Sequence, residues 1–107
     1  MRRETLKGHL DMLLLAVLRS EPGHGYAVIQ RLAAASDGAF DLPEGTIYPA
    51  LYRLERRGFL TSREVEFEGR RRRVYETTPT GREALLEHMD EWRSFSVSIG
   101  RTLEAAG

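Results

Sequence analysis

Apolar residues recur every three to four positions over residues 5–20, which predicts a first amphipathic helix. Its core face is formed by Leu6, Leu10, Leu13, Leu14 and Val17. The opposite face is not wholly polar, because Met12 and Leu15 lie there with Gly8 and Asp11. These two apolar residues are either isolated exposed side chains, which are common, or part of a contact with another surface.

A turn signal at residues 20–23, Ser-Glu-Pro-Gly, ends the first helix, and a second helix is predicted over residues 25–36. Its inward side chains are expected to be Tyr26, Ile29, Leu32 and Ala33. Residues 40–42, Phe-Asp-Leu, are compatible with a short strand.

The stretch LPEGTIYPALYRLERRGFL, residues 42–60, predicts a third helix that buries Ile47, Leu51 and Leu54. The opposite side carries Gly45, Pro49, Tyr52, Arg53 and Arg56. Small residues let a backbone come close, and Arg and Tyr donate hydrogen bonds to phosphates and base edges. This side is therefore either a nucleic-acid contact surface or an ordinary solvated basic face.

The start of this third helix has two possible caps. With Pro43 as the cap, Pro49 lies beyond the first turn and is expected to kink the helix near Gly45. With Thr46 as the cap, Pro49 lies in the first turn at little cost.

After Gly58 the apolar period changes from 3.6 to 2, and residues 60–67 and 71–77 predict a β-hairpin with its turn at residues 68–70. Four adjacent arginines, residues 70–73, lie at the tip and on the second strand. They are either a solvated edge that deters strand pairing or a basic wing that contacts phosphates.

Thr78 and Pro79 begin a long last helix, with a possible capping box formed by Thr80 and Glu83, and the helix is expected to continue to about Glu104. Its apolar stripe has heptad spacing, with Phe95 and His88 beside it. The stripe comprises Leu85, Met89, Trp92, Ser96, Ile99 and Leu103. The domain before this helix is too small to cover such a stripe, so we expect a second copy of the chain to cover it in a homodimer.

Composition narrows the class of protein. The 107 residues suit one domain, and 16 basic residues balance 16 acidic ones. Nine arginines face only five acids between residues 46 and 82, so positive charge collects around the third helix and hairpin. The absence of cysteine, of a long apolar run and of a signal peptide predicts an intracellular, cytoplasmic protein without disulfides or thiolate metal sites.

An enzymatic function has little support in the sequence. His9, His24 and His88 lie in different predicted elements and lack metal-ligand spacing with any acidic partner. We expect no catalytic residues, no metal site and no cofactor.

Three segments, GHLDMLLLAVLRSEPGHGYAVIQRL, LPEGTIYPALYRLERRGFL and GRRRRVYETTPTGR, together resemble the PadR family of bacterial transcriptional regulators, in its short subclass. The resemblance implies an α+β, mostly α fold: a winged helix-turn-helix over residues 1–78 and a long C-terminal dimerisation helix over residues 79–107. Residues 45–49 match the start of the family's recognition helix, and residues 69–73 match its wing. Val74 stands where the family usually has an aromatic residue.

The resemblance and the helical pattern together predict a set of DNA-binding residues. The set comprises Thr46, Tyr48, Pro49, Tyr52, Arg53, Arg56, Arg70, Arg71 and Arg72. His24, Gly25 and Tyr26 match the turn into the family's second helix, and we interpret Tyr26 as structural in preference to a phosphate contact. The dimer interface is expected to comprise Leu85, Met89, Trp92, Phe95, Ile99 and Leu103.

The resemblance further implies a repressor that binds a palindromic operator in double-stranded DNA and is released by a small aromatic or apolar effector. Trp92 resembles the aromatic lining of the family's cavity at the dimer interface, with Asp11, Met12, Leu15 and Ser96 as expected neighbours. The alternative role for Trp92 is dimer packing alone. The alternative function for the whole chain is a winged-helix module that binds protein and not DNA.

Overall fold

The computed structural model describes Leu6 and residues 8–107. Its elements follow the predicted winged-helix order, so the predicted fold class is confirmed. They are α1 (Leu10–Val17), β1 (Gly23–His24), α2 (Gly25–Ala35), α3 (Glu44–Arg56), β2 (Leu60–Phe67), β3 (Arg70–Thr77) and α4 (Pro79–Ala106). The sheet is antiparallel with strand order β1-β3-β2.

Helix α1 is shorter than predicted and is covered on more than one side. Gly8 has a φ of +90°, a conformation outside the helix, and α1 starts two residues later; Thr5 and Lys7 lie outside the described residues. Because α1 contacts α2, α3 and α4, Leu15 is buried and Met12 packs against the core. Of the two alternatives for Leu15, the structure selects contact with another surface, and that surface includes the chain's own last helix.

The short strand lies at Gly23–His24 and not at residues 40–42. Its two residues pair with Tyr75 and Val74 of β3. Residues 36–40 form turns, held by the Ser36 hydroxyl, which accepts the Phe40 N–H at 2.9 Å. The strand predicted at residues 40–42 was wrong because local turn hydrogen bonds take the place of a strand partner there.

Helix α2 buries Leu32 and packs Ile29 against the core as predicted, but Tyr26 does not point inward. Val28 and Leu32 are buried, whereas Tyr26 is 55% exposed. Because α2 begins at Gly25, Val28 and Leu32 lie on the same side as Gly25, and Tyr26 is turned about 100° away from it. The prediction that Tyr26 points inward is wrong.

Helix α3 begins at Glu44 with Pro43 as its cap, which decides between the two possible starts. The Pro43 carbonyl accepts the N–H groups of Thr46 and Ile47 at 3.0 and 3.1 Å, and the helix continues through Pro49. Gly58 ends it with a φ of +83°, while the Phe59 N–H bonds to the Leu54 carbonyl at 3.0 Å. This end turns the chain directly into β2.

The hairpin has a two-residue turn, one residue shorter than predicted. Glu68 and Gly69 have φ values of 50° and 74°, as a type I′ turn requires. β3 therefore begins at Arg70, and all four arginines of residues 70–73 belong to the strand.

Helix α4 starts at the predicted cap, since the Thr78 hydroxyl accepts the Gly81 N–H at 3.0 Å. Its first turns pack closely on the rest of the chain: a Cβ atom at Gly81 would lie 2.1 Å from the Phe59 carbonyl oxygen. Leu85 is buried in the core, whereas most of the helix beyond Met89 is exposed. Within the described part of the chain, no helix combines the length and apolar character needed to span a bilayer.

Candidate nucleic-acid interface

The exposed side of α3 carries the residues that the sequence placed there. Ile47, Ala50, Leu51 and Leu54 are buried, which turns the opposite side outward. That side shows Gly45, Pro49, Tyr52 and Arg56, and the Arg56 guanidinium lies 5.8 Å from the Tyr52 ring centroid. Tyr48 is also exposed and Thr46 is half-buried. Hydrogen-bond donors and small residues thus share one accessible surface.

Arg53 lies at the edge of this surface and is held by an acidic residue of α1. Its Nη2 is 2.5 Å from Asp11 Oδ1, and Arg57 Nη1 is 3.4 Å from Asp11 Oδ2. The Arg53 side chain is nevertheless half-exposed. Asp11, which we expected at an effector site, therefore contacts one of the predicted DNA-binding residues.

The four wing arginines differ in their partners because alternate residues of a strand point to opposite faces. Arg71 and Arg73 both pair with Glu64, at 3.6 and 3.3 Å, and Arg73 also donates to the Ser62 hydroxyl at 3.0 Å. Arg72 points the other way, where its guanidinium lies 5.2 Å from the Phe67 ring centroid. Its Nη1 is 2.8 Å from His24 Nε2.

A basic cleft of about 400 Å³ separates the wing from the starts of α2 and α3. It is lined by His24, Gly25, Tyr26, Glu44, Tyr48, Arg70, Arg71, Arg72 and Arg73. The cleft brings the predicted wing residues together with Tyr48 from the predicted recognition helix. At its floor the Tyr48 ring covers Gly25, since a Cβ atom there would lie 2.3 Å from Tyr48 Cε1.

His24 and Tyr26 are cleft residues that sequence reasoning did not include among the DNA-binding residues. His24 caps α2, because its Nδ1 accepts the Ala27 N–H at 3.1 Å. Burial, and then the nearby positive charges of Arg72 and Arg31, lower the pKa of His24 from its usual value. The sequence signal for both residues was the His-Gly-Tyr turn, in which we had interpreted Tyr26 as structural.

Comparison with known proteins assigns the chain to a family. The profile of the Transcriptional regulator PadR-like family matches residues 14–87, which is more than half of the chain. The chain belongs to the PadR-like family of transcriptional regulators.

Individual relatives agree with this assignment. The transcriptional regulator Rv3488 of Mycobacterium tuberculosis is 45% identical over 64 residues, which span 60% of this chain and 57% of that protein. A PadR family transcriptional regulator from Eggerthella lenta has a TM-score of 0.82 and 33% identity, and the match covers 94% of this chain and 87% of that one. Bacillus subtilis PadR, solved in complex with operator DNA, shares the fold with a TM-score of 0.69 and 23% identity over 77% of this chain and 47% of its own.

The PadR-like chain also has a cavity of about 340 Å³ between α1 and α4, the α1–α4 cavity. It is lined by Gly8, His9, Met12, His88, Glu91, Trp92 and Phe95. The Trp92 ring packs edge-on against His9 at 5.2 Å and lies 6.3 Å from Phe95. His88 Nδ1 is buried without a hydrogen-bond partner among the described residues.

Only two of the five expected effector residues, Met12 and Trp92, line this cavity. Asp11 and Leu15 border a neighbouring cavity of about 370 Å³, and Ser96 donates its hydroxyl to the Arg93 carbonyl at 3.1 Å. Within the part of the chain that the structure describes, no group of three or more His, Asp or Glu side chains is arranged to hold a metal ion.

The expected dimer residues divide into two groups along α4 of this PadR-like chain. Leu85 is 1% exposed, because the first turns of α4 pack on α1 and β3, so its assignment to a dimer interface is corrected to the chain's own core. Met89 is partly buried against that core. The remaining members are exposed: Trp92, Phe95, Ile99 and Leu103.

Proposed function

We propose that this PadR-family regulator binds double-stranded DNA sequence-specifically, as a homodimer that represses transcription from a palindromic operator. The observation that carries the proposal is the continuity between the exposed side of α3 and the basic cleft. A helix with small residues and hydrogen-bond donors beside an arginine-rich hairpin suits one helix in the major groove and one wing on the backbone. The structure of Bacillus subtilis PadR with operator DNA supports the same use of the shared fold.

In this proposal the two parts of the surface have different tasks. Tyr52 and Arg56, with Thr46, Tyr48 and Pro49 at the start of α3, approach base edges and so determine the sequence preference. Arg70, Arg71 and Arg72 contact phosphates, which determines register and affinity but carries no base information.

Arg53 also contacts base edges in this proposal, after its guanidinium leaves the Asp11 carboxylate. The Arg53 side chain is 51% exposed, whereas the Asp11 side chain is only 18% exposed and also pairs with Arg57. When DNA takes the Arg53 guanidinium, Arg57 remains beside the Asp11 carboxylate, which is therefore not left without a positive partner.

The homodimer in this proposal forms through the exposed half of α4. Trp92, Phe95, Ile99 and Leu103 repeat at heptad-like spacing, and burying each such side chain contributes about 1.5–3 kcal/mol. A two-fold axis through this half of the helix presents two copies of α3 to adjacent turns of one duplex, which is why the operator is expected to be palindromic.

We further propose that a small aromatic or apolar effector binds in the α1–α4 cavity and releases the DNA. Trp92 and Phe95 provide flat apolar surface, and Met12 adapts to different shapes. Because α1 also carries Asp11, which holds Arg53, a ligand that displaces α1 changes the position of a DNA-binding residue.

Fluorescence anisotropy with a labelled duplex from the region upstream of the chain's own gene tests the DNA-binding proposal. Titration against a scrambled duplex at several salt concentrations should give tighter binding to the upstream duplex, weakening steeply with salt. Arg56→Ala should reduce the preference between the two duplexes, whereas Arg71→Ala should weaken both about equally. No binding to either duplex, or binding indifferent to salt, would favour the protein-binding module.

A further inference from the structure

His24 has a defined tautomer in the folded chain. Its Nδ1 accepts the Ala27 N–H at 3.1 Å, so Nδ1 carries no proton. A neutral imidazole has one N–H group, which must therefore be on Nε2. The lowered pKa of His24, caused by burial and by the charges of Arg72 and Arg31, agrees with this neutral form.

The Nε2–H group of His24 faces a second donor. Arg72 Nη1 lies 2.8 Å from Nε2, and a guanidinium has donors and no acceptor. With Nδ1 as the cap acceptor, the Nε2–H of His24 and the guanidinium of Arg72 are two neighbouring donors, and neither can accept from the other. The other tautomer would accept from Arg72 but would lose the cap of α2.

Both side chains are held in this arrangement by the fold. His24 is opposite Val74 in the β1–β3 ladder, and Arg72 is two residues along the same strand, so the two side chains share one face of the sheet. The Phe67 ring, 5.2 Å from the Arg72 guanidinium, supports it from the hairpin side.

The surroundings of this donor pair favour an anion. Arg70 lies on the same face of β3 as Arg72, and the single acid that lines the basic cleft is Glu44. Tyr26 and Tyr48 add hydroxyl groups to its wall. An oxygen that accepts from His24 and Arg72 together satisfies both donors, and a phosphate supplies such oxygens with the charge that the arginines require.

We propose that His24 and Arg72 form a phosphate clamp, in which His24 Nε2–H and the Arg72 guanidinium bind oxygens of one DNA backbone phosphate between the wing and α2. This inference rests on the proposed DNA-binding function and adds His24 to its contact residues. In this clamp His24 caps α2 and also contacts the DNA backbone. The start of α2 and the wing therefore bind the same phosphate of one DNA strand.

The variant that separates these two roles is His24→Ser. Serine is a good N-cap, so the thermal midpoint should stay at the wild-type value, but serine is too short to reach the phosphate. Binding of the upstream duplex should weaken about tenfold per protomer, as expected for a lost hydrogen bond to a charged group. The slope of log affinity against log salt should stay unchanged, because neutral His24 releases no counterion.

Arg72→Ala and Arg73→Ala form a matched pair of arginine variants. Arg72→Ala should weaken binding and reduce the salt slope by about 0.9 per protomer. Arg73→Ala should have the smaller effect, because Arg73 is already paired with Glu64 and Ser62. The double variant His24→Ser/Arg72→Ala should lose less affinity than the product of the two single losses, since both act on one phosphate.

Long-range ¹H–¹⁵N correlation spectra of the histidine rings provide a readout besides affinity. The free chain should show the Nε2–H form of His24, and the duplex should shift its Nε2 signal, whereas inorganic phosphate at the same ionic strength should not. An Nδ1–H form in the free chain, wild-type affinity of His24→Ser, or losses that multiply in the double variant would each overturn the clamp alone. Failure of the wild-type chain to bind any duplex would overturn the clamp together with the proposed function.

Discussion

The two halves of α4 have the same apolar spacing but different surroundings. In residues 79–89 the stripe is covered: Gly81 touches the backbone of Phe59, and Leu85 belongs to the core. In residues 92–103 the stripe becomes exposed: Trp92 still packs on His9, but Leu103 is 67% exposed. One helix therefore serves first as part of the domain and then, in our proposal, as the surface for a second copy.

The two halves of α4 should therefore contribute to two different free energies. The first half of α4 should determine the free energy of unfolding of one chain, and the second half should determine the free energy of association of two. Substitutions in each half should therefore affect different measurements.

The largest effect on unfolding is expected from Leu85→Ala. Removing a buried leucine should lower the free energy of unfolding by about 2–5 kcal/mol, through lost apolar burial and the cavity left behind. Urea denaturation followed by circular dichroism measures this loss. Leu86→Ala, the exposed neighbour on the same helix, is the control and should change the value by less than about 0.5 kcal/mol. Equal effects of both variants would contradict the assignment of Leu85 to the core.

Phe95→Ala should weaken the dimer by about 2–3 kcal/mol, or about 30- to 150-fold in dissociation constant, because its apolar surface is then missing from both partners. Sedimentation equilibrium over a range of concentrations measures this change. Val97→Ala is the matched control, since Val97 is also about half-exposed but lies well away from the stripe. A Val97 effect as large as that of Phe95 would move the interface to another face of α4.

Each half of α4 also contains a glycine, and alanine substitutions at these two positions should have opposite effects on stability. Gly81→Ala should lower the free energy of unfolding by about 1–3 kcal/mol, because its Cβ would collide with the Phe59 carbonyl oxygen. Gly100 has open space around it, so Gly100→Ala should raise helix stability by about 0.5–1 kcal/mol. Thermal unfolding of both variants checks the signs. A tolerated alanine at position 81 would show that α4 does not pack on the Phe59 turn as described.

The smallest expected effect is on how the free energy of unfolding of one chain depends on pH, and it does not involve the dimer. The folded chain holds the pKa of His24 below that of the unfolded chain, so between the two values only the unfolded chain binds the proton. The contribution of His24 to stability is therefore present above about pH 6.5 and is lost as the pH falls through the folded value. In urea denaturation at pH 7.5 and 5.5, His24→Ser should lose less stability on acidification than the wild type. A greater loss in the variant would contradict the lowered pKa.

The sequence predicted those elements whose patterns are local. Apolar spacing located α3 and its exposed side, the alternation after Gly58 located the hairpin, and Thr78-Pro79 located the start of α4. β1 was not predicted, because two residues carry no periodic signal and their partners in β3 lie some fifty residues later. The surroundings of Leu15 were left open for a similar reason, since they include residues of α4 at the other end of the chain.

The sequence predicted which arginines belong to the candidate site but not which acidic residues pair with them. The pattern selected the arginines of α3 and the wing, yet it did not show that Asp11 holds Arg53 or that Glu64 pairs with Arg71 and Arg73. Those contacts depend on tertiary packing and strand register. His24 and Tyr26 were missed as cleft residues because the His-Gly-Tyr turn also suits a purely structural role.

The most direct test of the account is sedimentation velocity of the chain alone and with a fluorescein-labelled upstream duplex. At micromolar concentration the free chain should sediment as a dimer of about twice its 12.2 kDa mass, and two protomers should bind each duplex. Phe95→Ala should shift the free chain toward the monomer and weaken the complex in parallel. A monodisperse monomer, or a duplex that binds one protomer with undiminished affinity, would contradict the account.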